Sequence, residues 1–191
     1  MLCNGRIAEA TSLGPGDVAF TTVNSDGVKQ FSFVLLTDIQ DSTGFYITDN
    51  EWSSVSSNWY NTSEGIIKWY YNGPLSCGTE VRMEVSTSTV SHGVLELVDG
   101  VFNPSTAGDA LLMYEGTTGT SVTSWITGIK YDATGWTSTP ANTTDSDLPA
   151  VLTDGVDAIS FSVHRDNWIY DCSFNSAYEI YGTSALFDQS N

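Results

Sequence analysis

The chain has 191 residues, of which 40% are hydrophobic and 12% aromatic, so it can bury a core without disulfide staples and is not globally disordered. Only 6 Lys and Arg stand against 23 Asp and Glu, a formal charge of -17. That balance excludes a nucleic-acid partner, which needs a basic patch, and disfavours anionic membranes; it suits divalent cations, basic partners or simple solubility.

No apolar run approaches the length of a membrane span. The first residues, MLCNGRIAEATSLGPGD, lack the apolar centre of a signal peptide, so an exported or organelle-imported protein would carry its leader outside this sequence. Cys3, Cys77 and Cys172 include no CxxC pair, which removes zinc and thioredoxin chemistry. Cys77 and Cys172 either pair across a sandwich or serve as small buried hydrophobes.

In chain order, residues 1–16 read as an arm ending in Gly14-Pro15-Gly16. Residues 17–191 read as one domain. A first strand, 17–23, is joined by the Asn24-Ser25-Asp26-Gly27 turn to a second at 31–36. Phe31, Phe33 and Leu35 alternate on one side, and Phe45 and Ile47 do the same beyond a Gln40–Gly44 turn. The stretch 31–52 is thus expected to form a hairpin at the centre of a sheet. A polar loop follows at 53–65, then strands at 66–71, 79–89, 93–98 and 110–114. Another strand is expected at 124–131, with Gly128 marking a bulge. After a long loop at 132–150 come strands at 158–163 and 168–172. A short terminal helix at 184–189 is left open. About ten short strands with turns between them and no long amphipathic helix predict an all-β fold. The expected form is an antiparallel β-sandwich with long Ser/Thr-rich loops.

The residues Gly16-Asp17, Phe31–Ile39, Thr48–Trp52, Gly108-Asp109, Leu111-Leu112, Tyr114, Gly116 and Ala185-Leu186-Phe187 together resemble a module of large secreted bacterial proteins, where it stands beside adhesin-like, nuclease or calcium-binding repeat domains. The resemblance runs from Gly14 almost to the end and implies a location outside the cell or on its surface. It carries no catalytic residue. The Ser/Thr-rich loops and Cys77 depart from it. The architecture is also similar to that of algal proteins that self-assemble into sheets, such as the shell around diatom pyrenoids, which implies a plastid setting instead.

Catalytic chemistry finds little support. There is no GxSxG, and His92 and His164 have no sequence context of a triad. With so many acids, some pair will match glycosidase spacing by chance; Glu51 beside Trp52 is the one to inspect. Loop clusters of Asp and Asn suggest calcium as a cofactor, with Asp26, Asp38, Asp41 and Asp49 as ligand candidates and Asp49-Asn50-Glu51, Asp145 with Asp147, and Asp154 with Asp157 beside them. Trp59, Tyr60, Trp136 and Tyr178 in or near loops suggest a glycan-binding platform. Strand edges short of Lys and Pro, with Lys29, Lys68 and Lys130 as the lysines available to guard them, suggest contacts between copies. The expected function is therefore a non-enzymatic structural subunit that assembles with itself into a sheet, filament or shell. The alternative is a secreted adhesion or carbohydrate-binding module that depends on calcium.

Overall fold

The computed structural model describes residues 9–164 and 166–170, and the backbone of Phe187 and Asp188. Fourteen strands are assigned among these residues. A first sheet has the order β14-β13-β1-β2-β7-β8, built from β1 (Val18–Asn24), β2 (Gln30–Leu35), β7 (Glu80–Glu84), β8 (Thr89–Val90), β13 (Asn167–Tyr170) and β14 (Phe187–Asp188). A second has the order β12-β11-β10-β3-β6-β9, from β3 (Thr43–Thr48), β6 (Ile66–Tyr71), β9 (Val94–Asp99), β10 (Ala110–Thr118), β11 (Ser121–Lys130) and β12 (Ala158–Ser160). A two-stranded ribbon, β4 (Trp52–Ser53) with β5 (Asn58–Trp59), lies within the stretch expected to be a plain loop. The fold is all-β and sandwich-like, with one departure from antiparallel order: β12 runs parallel to β11.

The central hairpin expected over 31–52 does not form. β2 lies between β1 and β7 in the first sheet, whereas β3 lies between β10 and β6 in the second. The chain crosses from one sheet to the other through residues 36–42, where Ile39 pairs with Leu75. Alternation fixes which side chains face a core, but it is identical for two strands of one sheet and for two strands facing each other across a sandwich. The apolar residues do meet, face to face: Phe33 of β2 packs on Phe45 of β3 at 5.3 Å between ring centroids.

Side-chain alternation on the second sheet feeds two cores. Phe45, Ile47, Ile67, Trp69, Leu111 and Met113 point into the main core between the sheets. Their sequence neighbours Tyr46, Ile66, Leu112 and Tyr114 point the other way, into a smaller core capped by Trp52, Trp59, Trp136 and Leu148. The β4–β5 ribbon and the 132–150 loop form that cap, so the middle of the second sheet is buried on both faces, while its edge strand β9 is largely exposed.

Four further expectations are corrected. Cys77 is exposed rather than a buried hydrophobe, and Cys172 lies outside the described residues. The terminal helix falls mainly outside them too, but Phe187 and Asp188 form β14 against β13. The β11 bulge skips Ile126, between Thr127 opposite Met113 and Trp125 opposite Tyr114. Gly128 instead makes room for its neighbours, since a Cβ there would sit 2.9 Å from Leu112 Cδ2 and 3.1 Å from the Trp136 ring. Finally, Lys130 guards no edge. It is fully buried, and its Nζ donates to Asp132 Oδ2 at 2.5 Å and to the Thr144 carbonyl at 2.7 Å. The arm's last residues are docked as well, with Leu13 in the main core and its N–H on Glu115.

Lys130 therefore pins the 132–150 loop to the sheet. Lys130→Met should cost about 3–5 kcal/mol in urea unfolding, because Asp132 keeps a buried charge without its cation. Lys68→Met, which loses only a half-buried ammonium 5.4 Å from the Tyr46 ring, should cost under about 1 kcal/mol.

Candidate metal centre

Four carboxyl groups converge at one end of the second sheet. The first two come from the continuation of β3. Thr48 Oγ1 donates to the Gly65 carbonyl at 2.7 Å and accepts from Asn50 N, and Asn50 Oδ1 accepts from Glu64 N at 3.1 Å. These bonds lace residues 48–50 to residues 64–65. Asp49 then accepts two backbone N–H groups, Gly65 on Oδ1 and Asn103 on Oδ2, both at 2.8 Å. Asp109, just before β10, likewise accepts Ala110 N on Oδ1 and Ser105 N on Oδ2, both at 2.8 Å.

Glycines permit this convergence. A Cβ on Gly65 would lie 2.0 Å from Phe102 N, and one on Gly100, at φ +62, would lie 1.7 Å from the Glu64 carbonyl oxygen. The segment after β9 is thus pressed directly onto the backbone that carries Glu64.

Carboxylate oxygens of Asp49, Glu64 and Asp109 all lie within 4.8 Å of one another. Glu51 joins them from the side of Glu64 and Asn61. Asp49, Glu51 and Asp109 are each only 1% exposed. Neither Glu51 oxygen has a hydrogen-bond partner, nor has Glu64 Oε2. Among the described residues, no ion pair reaches any of the four; the acids that are paired are Glu80, Asp132 and Asp166.

Burial and mutual repulsion push the group's affinity for protons up. Burial raises Asp49 to about 6 against the lowering pull of its backbone donors. Burial, with Asp49 adding to it, raises Glu51 to about 7 against the lowering pull of its own backbone N–H and of the Glu64 carboxyl and Asn61 beside it. Burial and then Asp109, Glu51 and Asp49 raise Glu64 to about 10. Asp109 is held well above the carboxylate range, again by burial first. The oxygens that face one another here are all hard, with no His or Cys among them. Such a set suits calcium or magnesium rather than zinc. Glu51 and Glu64 have oxygens free to bind, while Asp49 and Asp109 are oriented by backbone donors and retain lone pairs for a cation.

Of the four predicted metal ligands, only Asp49 belongs to this centre. Asp26 Oδ1 accepts Gly27 N within its own turn, Asp38 Oδ1 accepts Cys77 N at the surface, and Asp41 sits in the turn before β3. Asp145, Asp147, Asp154 and Asp157 likewise hold loop backbone or neighbouring side chains. The aromatic candidates do not gather into one open platform. Trp59 packs edge-on against Trp52 and Trp125 and donates Nε1 to the Thr120 carbonyl. Trp136 lies against Gly128 and reaches Asp154, Tyr60 is exposed, and Tyr178 is outside the described residues. A separate groove of 760 Å³ lies against the first sheet, lined in part by Gln30, Ser32, Glu80, Arg82 and Glu84; none of the four acids lines it.

Glu51 stood in the Asp49-Asn50-Glu51 cluster beside the ligand candidates, whereas Glu64 and Asp109 were not among the sequence candidates for a metal. Their signal was present in the dipeptides Glu64-Gly65 and Gly108-Asp109, where an acid adjoins a glycine that has no room for a side chain.

The raised affinities fix a pH dependence. These acids bind protons near pH 4 when unfolded, but near 6, 7 and 10 for Asp49, Glu51 and Glu64 when folded. The folded chain therefore holds more protons between those values. The stability this confers is present in full below about pH 4 and is lost as pH rises through 6 to 10. In chelator, Tm should fall steadily from pH 5 to pH 8.5; a flat or rising Tm would contradict the arrangement.

Comparison with protein-family models, curated proteins and solved structures finds no match to this chain, so its function must be argued from the chemistry of its own residues.

Proposed function

We propose that the chain is a non-enzymatic β-sandwich module that holds a divalent cation, calcium by its chemistry, in the Asp49–Glu51–Glu64–Asp109 centre. One observation carries the reading: Glu51 is buried beside three other acids with both carboxylate oxygens unpartnered. An ionised carboxylate in that position is strongly unfavourable unless a cation or a proton meets it. A cation there would tie together three segments distant in sequence, the end of β3, the lead into β6 and the 100–109 loop, and so act as an internal staple.

Catalysis fits poorly. A working acid or base must touch its substrate, and three of the four acids are closed off from solvent. Magnesium fits less well than calcium, because it retains several waters and the space here is walled by protein oxygens. Calcium-stapled modules of modest affinity suit a setting outside the cell or on its surface, where calcium is abundant. A structural or adhesive role follows more naturally from such a module than a soluble reaction does.

Thermal melts at pH 7.5 test the proposal. Calcium at about 100 times its Kd adds about 2.7 kcal/mol, which for a chain of this size is a Tm gain of roughly 5–10 °C. Glu51→Gln and Glu64→Gln should each abolish most of that gain. Glu51→Gln should also raise Tm in chelator, because Glu51, at about 7, is ionised more than half the time at this pH, whereas Glu64, at about 10, is already neutral. Asp38→Asn should leave the gain intact. A wild-type Tm indifferent to calcium and magnesium would dispose of the proposal.

A further inference from the structure

The centre lies at the base of an edge strand. β9 ends the second sheet, with β6 on one side and, among the described residues, no strand on the other. Its sequence, VLELVD, has no Lys and no Pro, the residues that ordinarily prevent such an edge from pairing. Val94, Leu97 and Val98 are 45%, 57% and 40% exposed, and Val101 just beyond the strand is 72% exposed.

We propose that β9 is the contact through which two copies of this chain pair edge to edge, and that the cation in the acidic centre switches the contact on. The switch rests on the metal reading given above. The partner is argued from charge. A chain of charge -17 repels its own copies, so any contact between them must form where charge is locally low. On β9 the lone acid before the last residue, Glu96, lies opposite Lys68 of β6, and the rest of 94–98 is apolar. An antiparallel seam centred on Leu97 puts Leu97 against Leu97, Glu96 against Val98 and Leu95 against Asp99. No two acids face each other in that register. The two-fold symmetry closes the pair, so the product is a dimer rather than a fibre.

The link to the cation is geometric. Asp99 pairs with Ile66 at the end of β9. The next residue, Gly100, lies against the Glu64 carbonyl, and Asn103 donates to Asp49. A cation held between Asp49 and Asp109 fixes the Gly100–Asn103 segment that anchors β9, so the strand bears less entropy cost when a partner strand arrives.

Sedimentation velocity tests this on the wild type, Leu97→Lys/Val98→Lys and Glu64→Gln, each in chelator and in about 1 mM calcium, with Tm recorded on the same samples. The expected result is wild-type monomer in chelator and a species of twice the mass in calcium. Leu97→Lys/Val98→Lys stays monomeric in both but keeps the calcium gain in Tm, which shows that the edge and not the fold was lost. Glu64→Gln stays monomeric in both. A wild type that gains Tm in calcium yet remains monomeric at every concentration overturns this inference and leaves the cation reading standing. Equal dimerisation in chelator and calcium overturns the switch. The absence of any Tm gain overturns the cation reading and the switch with it.

Discussion

An aromatic cluster at the centre of the sandwich joins the two sheets. Phe33 of the first sheet meets Phe45 and Trp69 of the second, each at 5.3 Å between ring centroids, with the Trp69 ring edge-on. All three side chains are fully buried. At about 25 cal/mol per Å² of apolar surface, burying such rings dominates the local energetics. It also fixes β3 and β6 as inner strands. A second aromatic cluster then covers their outer face, with Trp52 and Trp125 at 4.8 Å and Tyr46 stacked on Tyr114 at 5.6 Å. β3 is therefore a strand with no solvent side.

That double burial explains the acidic centre. Residues 49–51 continue a strand that is enclosed on both faces, so Asp49, Asn50 and Glu51 enter the interior along with it. The opposing segment follows β9 and is brought within backbone contact at Gly65 and Gly100. Neither segment could relax outward without opening the end of the sheet. Charged groups are thus held in place by apolar packing around them, an arrangement that natural folds retain mainly where a site requires it.

Much of the fold was legible because β-structure leaves a period-two signal. The strands at 18–24, 30–35 and 66–71 lie within a residue of where the pattern put them, and β10 starts at the expected 110 but runs on past 114 to Thr118. What the pattern lacks is pairing. It could not distinguish β2 and β3 as neighbours from β2 and β3 as opposite walls of the core. The centre was less legible for a related reason. Asp-Asn-Glu after a strand has the composition of an exposed turn, and it is interior here because residues 64–65 and 103 are bonded onto it from segments distant in sequence. Trp59 and Trp136, which pack against the smaller core, looked like surface aromatics because the loops carrying them are polar. Lys130 misled in the same way. A lysine in a strand reads as an edge guard, but here a folded-back loop buries it.

The hydrogen bonds within the centre distinguish the two ways of neutralising it. Protons alone would satisfy Glu51 and Glu64, which have free oxygens. They fit Asp49 and Asp109 poorly, since each oxygen of those two already accepts a backbone N–H, and an N–H donor favours the ionised form. Burial therefore pulls the two aspartates toward neutrality while the backbone pulls them toward charge. A cation resolves that conflict without breaking a bond. It binds lone pairs left over after the N–H groups are met, and it compensates the charge that the backbone donors preserve. The same cation would occupy the orphaned oxygens of Glu51 and Glu64. Glu51 and Glu64 can share a proton between them, but Asp49 and Asp109 are oriented acceptors that a cation suits better than a proton.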